Sequence, residues 1–396
     1  MEFKRYKLGE LLDVKRGASL AGEYYATMGE FVRLTCGNFD YINNCFKENT
    51  SKDNLFYTGK VRKEFIMQKG DIITPLTEQA IGLLGSTAII PESNKYIQSQ
   101  DVAKIICNEE LLYPMYAFYL ISSASVKAQL GAAAQQTKIR HTSPDKIKDC
   151  VVWIPDLADQ RRIASVLSNI DQKIALNRQI NQNLEALAKQ LYDYWFVQFD
   201  FPDENGKPYK SSGGKMVYNE KIKREIPEGW EYFTTDKLTN VITGKEDANF
   251  SVPNGAYPFF TCSRENLRCA TPAFVGKAIL IAGNGDFNVK HYSGTFNAYQ
   301  RTYVLIPKDS KYYGVLYFTA LERIDLFKAK SNGSIIKFIT KGDIENIGVY
   351  DCHKPEIYKQ INTLIETIET NECEISSLIK QRDELLPLLM NGQVTL

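Results

Sequence analysis

Four carboxylates lie close enough in sequence to share a metal ion, Asp71 with Glu78 and Asp343 with Glu345. A nuclease centre uses such pairs, but isolated ones usually cap turns or face water. The eight cysteines (36, 45, 107, 150, 262, 269, 352 and 373) form no C-x-x-C pair, and His141, His291 and His353 do not cluster near them. No zinc ligand set is spaced here, and buried free thiols in a reducing compartment are expected. Gly213-Gly214-Lys215 invites comparison with a phosphate loop. Tyr209 stands where that loop needs its first glycine, however, and Met216 follows the lysine in place of Ser or Thr. There is no G-x-S-x-G elbow, no H-E-x-x-H, and no G-x-G-x-x-G after a strand. The Asn/Asp-Pro-Pro-Tyr/Phe tetrapeptide that amino-methyltransferases use to hold an adenine amino group is also missing. Neither catalytic nor metal-ligating residues are therefore expected, and hydrolysis or methyl transfer by this chain is disfavoured.

The elements that would carry any function come from a repeat. Ile163, Ile170, Asn177, Leu184 and Leu191 recur every seven residues, and adding 198 to each gives Ile361, Ile368, Ile375, Arg382 and Leu389. A second seam position is read at Val166, Ile180 and Leu187, interrupted by Lys173 and Tyr194. Its counterpart in the second helix is Leu364, Leu378 and Leu385, interrupted by Asn371. Two long helices are predicted, at about 157–196 and 356–390, and Pro387 is expected to kink the last turn of the second. Single-face seams avoid water, so the two helices are natural antiparallel partners, although a seam could instead dimerise the protein.

What precedes each helix is also repeated. Tyr6 to Gly17 parallels Tyr232 to Gly244, each read as a short amphipathic helix ending in glycine. Short β-branched and aromatic runs, punctuated by Gly, Pro and Asn, read as strands and turns. Gly82, Gly85, Gly283 and Gly285 are assigned to turns or bulges. The fold class expected is α+β: two mixed, strand-rich globules separated by a pair of long antiparallel coiled-coil helices, with an internal pseudo-two-fold repeat. The expected segments are 1–155 and 228–353 for the globules, 156–198 and 354–396 for the helices, and 199–227 for a connector rich in Gly, Pro and Ser.

With 396 residues, 44% apolar and 24% charged, the chain is long enough for two to three folded domains and leaves little room for extensive disorder. The start, MEFKRYKLGELL, lacks an apolar signal core, and no later run is long and apolar enough to span a bilayer. A cytoplasmic protein with no membrane partner is expected. Net charge is +1, so any nucleic-acid binding must use local patches or charge borrowed from partners.

Several segments form an ordered set along the chain: Ile154-Pro155 leading into Gln160-Arg161-Arg162-Ile163-Ala164, then Ile170-Asp171-Gln172-Lys173-Ile174, then Leu191-Tyr192-Asp193-Tyr194-Trp195-Phe196. Ser211 to Val217, Ile226-Pro227-Glu228-Gly229-Trp230 and the stretch Leu386 to Gly392 complete it. Taken together, these segments resemble the specificity subunit of type I restriction-modification enzymes, over essentially the full chain. The second repeat departs at its helix start, where Pro355-Glu356-Ile357-Tyr358-Lys359-Gln360-Ile361 replaces the Gln-Arg-Arg-Ile opening.

The resemblance implies a non-catalytic reader of double-stranded DNA. Each globule would be a target-recognition domain for one half of a bipartite asymmetric site, and the helices would set the spacing and dock methyltransferase (M) subunits. Those partners would bring S-adenosylmethionine, and a restriction (R) subunit would bring ATP and Mg; this chain itself would need no cofactor. A methylation-only or related fused-type system without an active restriction partner is the alternative.

Arg and Lys read guanine, Asn and Gln read adenine, and hydroxyls reach phosphate. By those types the DNA-binding candidates are Gln135, Gln136, Thr137, Lys138, Arg140 and His141 in the first domain. In the second they are Thr261, Ser263, Arg264, Asn332 and Lys337. The same clusters also fit solvated loops. Ile163, Ile170, Leu184, Leu191, Ile361, Ile368, Ile375 and Leu389 are assigned to the helix seam and subunit docking. Tyr192, Tyr194, Trp195 and Phe196 are read as packing the helix end against a globule or an M subunit.

Overall fold

A computed structural model describes residues 2–78, 82–133, 140–285, 287–331 and 338–394. The chain forms two compact units, residues 1–176 with 375–396 and residues 177–374. Both long helices, Leu157–Tyr192 and Pro355–Met390, are therefore shared between the units. The second helix runs through Pro387 and closes with Asn391 N–H donating to the Pro387 carbonyl at 3.0 Å.

Each unit starts and ends alike. Strand Lys4–Lys7 pairs antiparallel with Val151–Ile154, and Glu231–Thr234 pairs with Gly348–Asp351. Between the two strands of each pair, the stretches read as amphipathic helices turn out differently. Only one helical turn forms, Leu8–Leu11 or Thr235–Leu238, and the residues after it are strands Leu12–Arg16 and Thr239–Thr243. Apolar residues at Leu12 and Val14, and at Val241, alternate with polar ones, and that two-residue period suits a strand. Gly17 and Gly244 end these strands because a neighbouring backbone passes there. A Cβ would lie 2.3 Å from the Ser99 carbonyl oxygen or 1.9 Å from that of Ala298.

The central strands are apolar on both faces. In the second unit Ile279 and Ile281 join the core against the helices, while Ala278 and Leu280 join a separate cluster with Phe260 and Phe296. In the first unit Ile72 and Ile73 divide in the same way between two cores. Successive side chains on a strand face opposite ways, so a sheet covered on both sides reads as an unbroken apolar run. Outside this shared frame the units differ. The first builds two four-stranded sheets and the second one six-stranded sheet.

Within each unit the helix segments pack antiparallel. In the first, Ile163, Ala164 and Leu167 share a core with Leu389 and Met390; in the second, Ala188 and Tyr192 share one with Ile357, Ile361 and Ile365. The register of the first helix differs from the heptad read at its second position. Leu167, Ile174, Asn181 and Ala188 are buried there, one residue beyond Val166, Lys173, Ile180 and Leu187. Ile180 and Leu187 are instead 38% and 51% exposed. Burial at Asn181 is possible because its amide donates to Glu372 Oε1 at 3.0 Å and to the Ile368 carbonyl, and accepts from Asn371 at 2.8 Å. Of the first-position residues, Ile163, Ile361, Ile368, Ile375 and Leu389 are buried, and Ile170, Leu184 and Leu191 half-buried.

The connector is anchored by aromatic side chains. Phe199 and Phe201 are buried, and the chain then forms a hairpin from Met216–Asn219 and Arg224–Pro227. Tyr192 and Phe196 pack into the second unit, where the Tyr192 hydroxyl lies 3.1 Å from Thr319 Oγ1. All eight cysteines are free. Cys36, Cys150, Cys269 and Cys352 are buried, whereas Cys373 is exposed, against the expectation of buried thiols throughout.

Candidate nucleic-acid interface and helix anchors

In both units the chain returns from a helix to the end of a central strand through the same hydrogen bond. Thr142 N–H donates to the Leu76 carbonyl at 2.9 Å, and Ile339 N–H donates to the Gly283 carbonyl at 2.8 Å. The residues just before Thr142 and Ile339 are the polar clusters singled out by type. Gln135, Gln136, Thr137 and Lys138, together with Asn332 and Lys337, lie outside the described residues. Arg140 and His141 form a two-residue strand paired with Glu78 and Thr77. His141 is exposed, its Nδ1 is 3.3 Å from Thr77 Oγ1, and that hydroxyl in turn reaches Asp101 at 3.3 Å.

In the second unit, Thr261, Ser263 and Arg264 occupy one loop after strand Tyr257–Phe260. Thr261 is buried beneath it, and its Oγ1 accepts the Ser263 N–H at 3.3 Å; Ser263 and Arg264 are exposed. Two residues not recognisable from the sequence brace this loop. Lys290 Nζ donates to the Ser263 carbonyl and to Asn266 Oδ1, both at 2.7 Å, and Asn288 donates to the Cys262 carbonyl at 2.8 Å. Burial lowers the Lys290 pKa to about 8. Nothing local marks Lys290, since it arrives opposite Leu280 through strand register across the sheet.

The paired carboxylates each have a structural partner. Asp71 holds Lys104 at 2.7 Å, Glu78 accepts the Gly82 N–H at 2.8 Å, Asp343 caps a short helix with Thr340, and Glu345 faces Lys341 at 3.4 Å. Among the described residues, no group of three or more His, Cys, Asp or Glu side chains is placed to hold a metal. No helix among them is long and apolar enough to cross a membrane.

The start of each long helix is tied to its globule by one buried polar side chain. Gln160, 1% exposed, accepts the Tyr113 N–H at 2.8 Å and donates to the Leu111 and Pro155 carbonyls at 3.0 and 2.9 Å. The 198-residue offset places Tyr358 at the same point, and its hydroxyl donates to Asp351 at 2.9 Å and accepts the Cys352 N–H at 3.0 Å. Burial raises the Asp351 pKa, but hydrogen bonds from Tyr312, His353 N–H and Tyr358 outweigh it and leave the carboxyl below its ordinary value. The two helix starts are thus equivalent in position despite their different sequences. Farther along, Arg382 occupies a buried seam position, with Nη1 donating to Asp171 Oδ1 and to the Asn43 carbonyl at 3.1 Å each. Burial opposes its charge, yet Asp383 and Asp171 keep its pKa above the ordinary value.

Comparison with known proteins places this geometry. The chain is 36% identical over 178 residues to the EcoDI specificity subunit of Escherichia coli, a match covering 43% of this chain and 40% of that protein. It is 23% identical over 390 residues to the MjaIX specificity subunit of Methanocaldococcus jannaschii, covering 90% and 84% of the two chains. The HindI specificity subunit of Haemophilus influenzae is 23% identical, with 99% and 100% covered. The crystal structure of the type I restriction-modification S subunit from M. genitalium shares the fold, with a TM-score of 0.62 at 17% identity, covering 98% and 96%. The type I restriction modification DNA specificity domain matches residues 1–186 and again 227–381. Two matching domains, each ending in a long helix, make this chain a member of the type I restriction-modification DNA specificity family.

Proposed function

We propose that this chain is the DNA-reading subunit of a cytoplasmic type I restriction-modification assembly and contributes no catalytic residue of its own. Each globule reads one half of a bipartite asymmetric double-stranded site. Gln135, Gln136, Thr137, Lys138, Arg140 and His141 serve the first half-site, and Thr261, Ser263, Arg264, Asn332 and Lys337 the second. The observation that carries this reading is the contrast between conserved frame and divergent outer layer within one chain. Both repeats keep the strand pair, the one-turn helix and the buried helix anchor, whereas their outer sheets differ in strand number and order. A common frame suits a common partner surface, and different outer layers suit different base sequences.

The helices set the spacing between half-sites and dock M subunits. The side chains of Ile163, Ile170, Leu184, Leu191, Ile361, Ile368, Ile375 and Leu389 hold the pair. Ile180 and Leu187, apolar and exposed, offer the outward face to a partner. S-adenosylmethionine comes with the M subunits, and ATP and Mg with the R subunit. A chain close to neutral needs these partners for much of its phosphate neutralisation.

The test is methylome sequencing of cells carrying the chain with its M subunits, with and without replacement of residues 1–153 by the matching domain of a relative. One half-site should change and the other persist. A simultaneous change of both half-sites would refute separate reading, and methylation by the isolated chain would refute the non-catalytic assignment.

A further inference from the structure

Both units carry aromatic side chains at equivalent places on their terminal strand pairs, and among the described residues only the second unit covers them with further aromatic rings. In the second unit the strand pair sets Tyr232 opposite Tyr350, with Trp230 just before. Phe199 meets both Trp230 and Tyr350 edge-on with ring centroids 5.4 Å apart, and Phe201 stacks on Trp230 at 5.1 Å. The segment Phe199-Asp200-Phe201 thereby leaves Trp230 only 8% exposed.

In the first unit the matching register sets Arg5 opposite Trp153, so Phe3 corresponds to Trp230 and Trp153 to Tyr350. Phe3 is half-buried with Gly392 against its ring, whereas no aromatic side chain among the described residues meets Trp153 as Phe199 meets Tyr350. Trp153 is 55% exposed beside an opening of about 280 Å³ lined by Phe3, Leu120, Val152, Trp153 and Met390. Val394, which the 198-residue offset equates with Phe196, is itself 38% exposed. Lys4 and Arg5 stand exposed on the adjoining strand, where the second unit has Glu231 and Tyr232.

We propose that this groove docks a partner protein through an extended acidic segment bearing two aromatic side chains one residue apart. The second unit supplies the precedent for the aromatic spacing. The exposed Lys4 and Arg5 select for a carboxylate beside the rings, since opposite charges at a rim speed encounter and reject like-charged partners. Aromatic anchors in desolvated pockets dominate such contacts. None of the seam residues assigned above lines this opening, and the proposal does not depend on how the half-sites are read.

The probe is a fluorescein-labelled peptide with the sequence of residues 196–203, Phe-Val-Gln-Phe-Asp-Phe-Pro-Asp, titrated by anisotropy into the full chain. Saturable binding with a Kd on the order of 10–100 μM is expected. Trp153→Ala, and alanine at both peptide positions matching Phe199 and Phe201, should each weaken it about tenfold or more. Arg5→Glu should weaken it as well, Trp153→Phe should retain it, and all variants should keep the parent melting profile. The proposal is overturned by no saturation below about 1 mM, or by undiminished binding to Trp153→Ala. Binding that appears only after residues 393–396 are removed would overturn it too, because the chain's own end would then be the occupant.

Discussion

Arg382→Leu isolates the contribution of the one arginine in the helix seam. The repeat places Leu184 at the corresponding position of the first helix, so leucine suits the seam sterically. The loss is electrostatic. Arg382 is 7% exposed and gives hydrogen bonds to Asp171, Asp383 and the Asn43 carbonyl, and without it Asp171 keeps only the Tyr119 hydroxyl at 2.6 Å. Removing one partner of a fully buried pair costs about 3–5 kcal/mol. The Asp171 side chain is 29% exposed, and water relieves part of that cost, leaving about 2–3 kcal/mol. For a unit of this size the melting temperature should fall by about 5–10 °C. Adding Asp171→Leu removes the stranded carboxylate and leaves one unpaired tyrosine hydroxyl, so about 1–2 kcal/mol should return. Calorimetry of the full chain measures both variants, and hydrogen exchange over residues 157–176 assigns the shifted transition. Parent-like stability of the single variant, or a further loss in the double, would refute the argument.

Gln160→Leu strands one backbone N–H and two carbonyls, and should cost about 2–4 kcal/mol by urea denaturation at pH 7, and Gln160→Glu should cost at least as much there, because its buried carboxylate keeps the Tyr113 N–H but turns an oxygen to the Leu111 and Pro155 carbonyls. Lys290 is charged below pH 8 and loses its proton as the pH rises through about 8. DNA phosphates favour the charged form, so affinity for the second half-site should fall from pH 7.5 to 9 in filter binding with M subunits present, and Lys290→Met should abolish that step. One heptad inserted after Ala175 and another after Cys373 lengthens each helix by about 10 Å, or roughly three base pairs, and methylome sequencing should show a longer spacer between unchanged half-sites. Full modification at the original spacer would remove the helices as the ruler.

The sequence by itself determined the duplication, the two long helices and the division into strand-rich globules. These rest on local signals: a 198-residue offset, a seven-residue apolar period and β-branched runs bounded by turn residues. Tertiary structure decided the second seam position of the first helix. Ile180 and Leu187 are as apolar as any seam residue, yet Asn181 and Ala188 are the ones buried, because Asn181 finds Asn371 and Glu372 on the facing helix and Ala188 is small enough for close packing. The same holds for Gln160 and Tyr358, unlike in sequence and equivalent in role, since each is chosen by the carbonyls, N–H groups or carboxylate that a folded globule presents to it. Lys290 reaches the Thr261–Asn266 loop only through sheet register. Periodicity reports how often a side chain returns to one face of its own element, whereas partners come from distant parts of the chain that only the completed fold brings alongside.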